Sequence, residues 1–138
     1  DYRILEKPAI CGPFRDYRIC SAPPSSSGGV AMNQIMSLYD LISTASPDGT
    51  PEANLRDFVL AQQLGYADRD HYVADPDAVT VPVADLLNPT YLKSRASSGF
   101  KPGDAPQPGD PGAVLHNKPI MSWAFLPISI GLQYSSLL

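Results

Sequence analysis

The chain has 138 residues, a formal net charge of −4, 15 prolines and only 2 cysteines. One domain of that length can bury about two-thirds of its unfolded surface, and the acidic balance excludes a nucleic-acid partner, which selects basic patches. So many prolines predict a loop-rich protein, and no charged n-region followed by an apolar h-region opens the sequence.

Residues 8–21 read as a β-hairpin, with Arg15-Asp16 as a two-residue loop between Phe14 and Tyr17. In that register Cys11 faces Cys20 at a non-hydrogen-bonded pair, where Cβ atoms approach most closely. A disulfide can form there. Two buried free thiols are the alternative, because the loop lacks the Gly or Asn of a tight hairpin turn. His71 and His116 are the only imidazoles, and no ligand-like spacing joins them to the cysteines. Neither a metal nor a cofactor is expected.

Pro23-Pro24 ends the second strand, since each proline lacks an N–H and fixes φ near −65°. Ser25, Ser26, Ser27, Gly28 and Gly29 follow, and from Val30 the apolar period changes from two to 3.6. Ser26 or Ser27 is the expected N-cap. A helix start behind Ser and Gly can hold an anion, but a phosphate loop needs Lys and then Ser/Thr after its last glycine. Here Val30-Ala31-Met32 stands instead. A tight turn that lets a helix approach a strand is the plainer reading.

The first helix is expected over residues 29–43, with Ala31, Ile35, Leu38 and Ile42 as its stripe, widened by Met32, Met36 and Tyr39. Thr50-Pro51-Glu52 opens a second helix, expected over residues 51–72, with Thr50 as cap and Pro51 at the first helical position. Leu55, Phe58, Val59 and Tyr66 repeat at helical steps and are expected to cover the first helix. Asp68-Arg69-Asp70-His71 gathers acid and base types in one turn. The structural reading makes Arg69 a buried strut paired with Asp68, Asp75 or Asp77, and His71 a surface residue. Asp75-Pro76-Asp77 is a turn; short helices follow over residues 82–87 and 89–98, with Leu86, Leu87, Tyr91 and Leu92 facing the core. Residues 101–112 carry almost no apolar side chain and read as an extended or disordered linker, placed within 101–120. Residues 121–138 are uncharged and apolar, but Pro127, four serines and Gln133 argue against a membrane span.

Two blocks carry a family resemblance. Pro23-Pro24-Ser25-Ser26-Ser27-Gly28-Gly29 resembles the Pro-Pro-Ser-Ser-Gly-Gly signature in the large subunit of gamma-glutamyltransferases. Tyr66-Ala67-Asp68-Arg69, Tyr72 and Asp75-Pro76-Asp77 are similar to that family's second block, and Val81-Pro82 with Leu86-Leu87-Asn88-Pro89-Thr90-Tyr91 continue it in the same order. The resemblance covers about residues 8–96. It implies a partial domain of the four-layer αββα fold of N-terminal-nucleophile hydrolases, whose missing strands and small subunit lie outside this sequence. The chain itself is then mainly α with one β-hairpin.

The resemblance also implies a parent activity, gamma-glutamyl transfer or hydrolysis on glutathione-type donors, in a periplasmic or extracellular setting. The nucleophile there is an N-terminal Thr generated by self-cleavage shortly after such a linker. No Thr follows Thr90 here, and the tail does not match the family. No catalytic or substrate-binding residue is therefore assigned, and the 138 residues alone are expected to be inactive. A related beta-lactam acylase is an alternative parent. A non-enzymatic helical module is the competing class, with two chains pairing through Met32, Met36, Tyr39 and the apolar tail around Trp123, Phe125 and Leu126.

Overall fold

The computed structural model describes residues 4, 6–45, 49–98 and 104–116. Their elements run β1 (Ile10–Phe14), β2 (Tyr17–Ser21), α1 (Gly28–Ala45), α2 (Pro51–Tyr72), α3 (Val83–Leu86), α4 (Pro89–Ser97) and α5 (Pro111–His116). Among the described residues, β1 and β2 form one two-stranded antiparallel sheet. The register pairs Phe14 with Tyr17 and Cys11 with Cys20, and the two cysteine sulfurs are bonded. Arg15 takes the turn with φ 53°, the left-handed region that disfavours a side chain. Its Nε donates to Asp40 Oδ1 at 3.2 Å, and its guanidinium lies 5.0 Å from the centre of the Phe14 ring. These contacts hold a residue where glycine is the usual choice.

Helix α1 is the axis of the molecule. Ala31, Ile35, Leu38 and Ile42 form a core with Ala61 and Leu64 of α2 and Leu92 of α4. Val30, Leu86 and Tyr91 form a second cluster, with Ile10, Val83 and Leu115 packed against it. Thr50 caps α2 as the sequence predicts, its Oγ1 accepting from Ala53 N at 3.2 Å, and Asn88 caps α4, its Oδ1 accepting from Thr90 N at 2.9 Å.

The buried face of α2 is not the one its large apolar residues suggest. Leu55, Val59 and Tyr66 are 64%, 42% and 49% exposed, while Ala53, Asp57, Ala61, Leu64, Gly65 and Asp68 are buried. Close approach decides this. A Cβ on Gly65 would stand 2.6 Å from Ile35 Cγ1, so α1 meets the small residues Ala61 and Gly65, one turn apart. Tyr39, expected to lack cover, stacks edge-on against Phe58 with centroids 5.6 Å apart.

Residues 104–110 also differ from the linker expectation. They run without helix or strand, but their backbone is hydrogen-bonded into the helices, and α5 follows directly. The apolar tail over residues 121–138, like the parts of the 101–120 segment beyond 104–116, lies outside the described residues.

Candidate functional site

Two places merit a functional reading: the serine-glycine turn into α1, and a buried carboxylate beneath it in the helical layer.

At the turn, Pro24 and Gly29 are buried, Pro23 and Gly28 are half-buried, and Ser25 and Ser26 are exposed. Gly29 N donates to Ala22 O at 2.8 Å, folding the helix start back against β2. A Cβ on Gly29 would stand 2.5 Å from that same oxygen and 2.9 Å from Ile10 Cβ. Only glycine permits this approach. Ser26 Oγ accepts from Gly28 N at 3.4 Å, and Asn33 Nδ2 donates to Gly29 O at 2.7 Å and to Ile10 O at 3.4 Å. The turn thus joins hairpin to helix by backbone contact.

The second place centres on Asp68, which is 0% exposed. Oδ2 accepts from Gln34 Nε2 at 2.6 Å and from the Tyr91 hydroxyl at 2.7 Å. Oδ1 accepts from Gly109 N at 2.7 Å and from Arg95 Nε at 3.1 Å. Arg95, 8% exposed, completes the ion pair through Nη2 at 3.1 Å and donates from the same nitrogen to the carbonyls of Gln107 and Leu64. The Tyr72 hydroxyl donates to Gly109 O at 2.7 Å. Among the described residues, Gln34 Oε1 is left without a partner.

One carboxylate therefore ties α1, α2, α4 and the 104–110 segment together. Burial, then the Asp68 charge and its hydrogen bond, raise the Tyr91 phenol well above its ordinary value. Burial also raises Tyr72, followed by the charges of Asp110 and Asp68. The arrangement keeps both phenols protonated as donors. With its lone pairs occupied, the Asp68 carboxylate is not placed to take a proton from a substrate.

The strut expected at Arg69 is supplied by Arg95. Arg69 is exposed and pairs with Asp70 at 2.6 Å. Helical rotation explains the exchange: Asp68 lies on the face of Ala61 and Leu64, and the next residue is turned about 100° toward solvent. His71 is exposed, stacked edge-on with Tyr72 at 4.5 Å. Asp75, Pro76 and Asp77 form an exposed turn in which Asp75 Oδ1 accepts from Asp77 N at 3.0 Å. None of these reaches Asp68. The partners the sequence left unnoticed are Gln34, Arg95, Gln107 and Gly109; the four-residue step from Tyr91 to Arg95 on α4 was the one local signal. Among the described residues no group of three or more His, Cys, Asp or Glu is placed to hold a metal ion, and no helix is long and apolar enough to cross a membrane.

The family model described as Gamma-glutamyltranspeptidase matches residues 1–115. The chain belongs to the gamma-glutamyltranspeptidase family. The match takes in the hairpin, the serine-glycine turn, the Asp68 cluster and α5 as far as Leu115. The chain is 33% identical over 112 residues to the glutathione hydrolase proenzyme of Escherichia coli K12, covering 78% of this chain and 19% of that protein. It is 34% identical over 95 residues to the glutathione hydrolase proenzyme of Bacillus subtilis 168, covering 69% of this chain and 16% of that one. An acylase ACY 1 proenzyme of Pseudomonas sp. SE83 is 36% identical over 98 residues, again 69% of this chain and 17% of the relative. The crystal structure of Helicobacter pylori gamma-glutamyltranspeptidase superposes with a TM-score of 0.62 at 31% identity, covering 75% of this chain and 31% of that one. The chain thus spans about a fifth of the length of the curated relatives it matches.

Proposed function

We propose that this gamma-glutamyltranspeptidase-family chain is the C-terminal part of a large subunit, a scaffold for gamma-glutamyl transfer or hydrolysis on glutathione-type donors. In the complete enzyme the N-terminal Thr hydroxyl of a small subunit attacks the gamma-carbonyl with its own amine as base. The thiol-bearing dipeptide leaves, and water or an amino acid takes the acyl group. The observation carrying this reading is the family match over residues 1–115 joined to a buried Asp68 whose hydrogen bonds are spent on holding elements together. The chain's part is to fix the layer on which the small subunit assembles.

The test is an activity assay on the isolated chain. The 138-residue chain alone is expected neither to hydrolyse gamma-glutamyl-p-nitroanilide nor to cleave itself. Turnover by the isolated chain that survives removal of contaminating enzyme overturns the scaffold reading. The acylase relative supports a second parent, a beta-lactam acylase. A complete parent enzyme of that branch is expected to deacylate an acylated beta-lactam in preference to gamma-glutamyl-p-nitroanilide. Self-association is the non-enzymatic reading. It is supported by exposed Leu55, Val59 and Tyr66 and by a groove of about 1110 Å³ lined by residues including Leu41, Ile42, Leu55, Leu60 and Ala96. Sedimentation at micromolar concentration checks it, a compact monomer being the adverse result.

A further inference from the structure

The cysteine bridge faces away from the helices. The register pairs Cys11 with Cys20 and Pro13 with Arg18, so strand alternation places these four side chains on one face. The opposite face carries Ile10, Gly12, Phe14, Ile19 and Ser21, with Tyr17 at its exposed turn end. It is the side that meets α1, where a Cβ on Gly12 would stand 2.3 Å from Asn33 Oδ1 and Ile10 packs against the Val30 cluster. Cys20 and Arg18 are exposed, whereas Cys11 is half-buried. A bridge placed for core packing would lie on the other face.

We propose that Cys11–Cys20 is a thiol–disulfide exchange site, at which an anionic low-molecular-weight thiol attacks the sulfur of Cys20, the more exposed residue of the bridge. The thiolate forms a bond to Cys20 Sγ as the Cys11–Cys20 bond breaks. The electron pair leaves on Cys11 Sγ, which takes a proton from water. A second thiolate then attacks the small thiol's own sulfur in this mixed disulfide and releases Cys20 as a thiolate. Two small thiols are oxidised to one disulfide, and the protein bridge is reduced by two electrons. Access selects Cys20 as the attacked atom. Arg18 lies two residues along the same strand, about 6.6 Å away measured along the backbone. A cation on that face favours the approach of an anionic thiolate, by a few-fold in low salt and less as salt screens it.

Opening the bridge has a consequence for the turn. An isolated two-stranded hairpin is marginal in water, and this one leads directly into the Pro23–Gly29 segment whose backbone folds onto Ala22. Exchange at Cys20 therefore loosens the entry to α1 while the Asp68 cluster stays closed. The site needs no catalytic residue and is independent of the proposed activity.

The experiment uses the full chain, purified without reductant and treated with glutathione or with the cationic thiol cysteamine at neutral pH. Acid-quenched, alkylated samples are mapped by peptide mass. The expected result is a mixed disulfide on Cys20, with Arg18→Glu slowing glutathione several-fold relative to cysteamine, whose reactive thiolate form is net neutral. Limited proteolysis within residues 8–21 should rise together with loss of the bridge. An adduct on Cys11, a rate indifferent to Arg18→Glu, or cysteines that alkylate fully before any thiol is added would each overturn the assignment.

Discussion

Replacing Asp68 by Asn keeps the shape of the side chain and removes its charge. Arg95, 8% exposed, then has no counter-charge at the 3.1 Å contact. Breaking a buried ion pair from one side costs about 3–5 kcal/mol, because the remaining ion cannot recover its water. The new amide also brings an NH2 group to a place where Gln34 Nε2, the Tyr91 hydroxyl, Arg95 and Gly109 N all donate. A donor left facing a donor adds about 1–3 kcal/mol. The sum is comparable with the ~5–15 kcal/mol stability of a whole domain, so Asp68→Asn should be largely unfolded at 25 °C. The comparison that isolates the mechanism is Asp68→Leu with and without Arg95→Met. Removing both ions leaves apolar groups of similar volume, so the double variant should be more stable than Asp68→Leu alone. Urea unfolding followed by far-UV circular dichroism measures each step through its midpoint. A loss under about 1 kcal/mol for Asp68→Asn, or a double variant that loses the sum of its two singles, would refute the reasoning.

Three further outcomes are expected. The Tyr91 phenol is raised in the folded state, so its stabilising contribution is complete below the ordinary tyrosine pKa near 10 and is lost as pH rises beyond it. Tyr91→Phe should lower stability by about 1.5–3 kcal/mol at neutral pH and flatten the alkaline fall, as pH-stepped denaturant titration will record. Gly65→Ala should destabilise by about 1–3 kcal/mol despite alanine's better helix propensity, because its Cβ meets Ile35 at 2.6 Å. Leu55→Ala on the exposed face should stay within about 0.5 kcal/mol, so equal effects from the two would contradict the assigned face of α2. Thr50→Ala should cost about 1 kcal/mol by thermal or chemical melting, through loss of the cap on Ala53 N.

What the sequence revealed depended on how local the deciding contacts were. The span of α2 was legible because Thr50-Pro51 marks its start, and the structure begins the helix at Pro51 and carries it to Tyr72. The hairpin register followed from the two-residue spacing around Arg15 and Asp16, even though Arg15 is a poor turn residue. The buried face of α2 was not legible from apolar periodicity. Large side chains at 55, 59 and 66 form a stripe, but close contact with α1 selects Ala61, Leu64 and Gly65 instead. The Asp68 cluster was hidden for a different reason: Tyr91, Arg95 and Gly109 lie 23, 27 and 41 residues along the chain. Arg69 and Arg95 are equally good partners on paper, and only the rotation of one helical step separates them. Family membership, by contrast, was readable because the two motif blocks are short, local and in order.

The contact between Asp68 and Gly109 also sets a clock on synthesis. With 41 residues between them, and translation at about 5–20 residues per second, the carboxylate is made roughly 2–8 s before its last backbone donor exists. During that interval α1 and α2 can pair, and α4 can bring Tyr91 and Arg95, but Oδ1 lacks the Gly109 amide and Arg95 lacks the Gln107 carbonyl. A nascent chain stalled between α4 and residue 107 thus carries an incompletely satisfied charge pair at its centre. Such a product opens more readily and is exposed to chaperones and proteases. The segment that looks like a linker thus supplies the last hydrogen-bond partners of the helices that precede it.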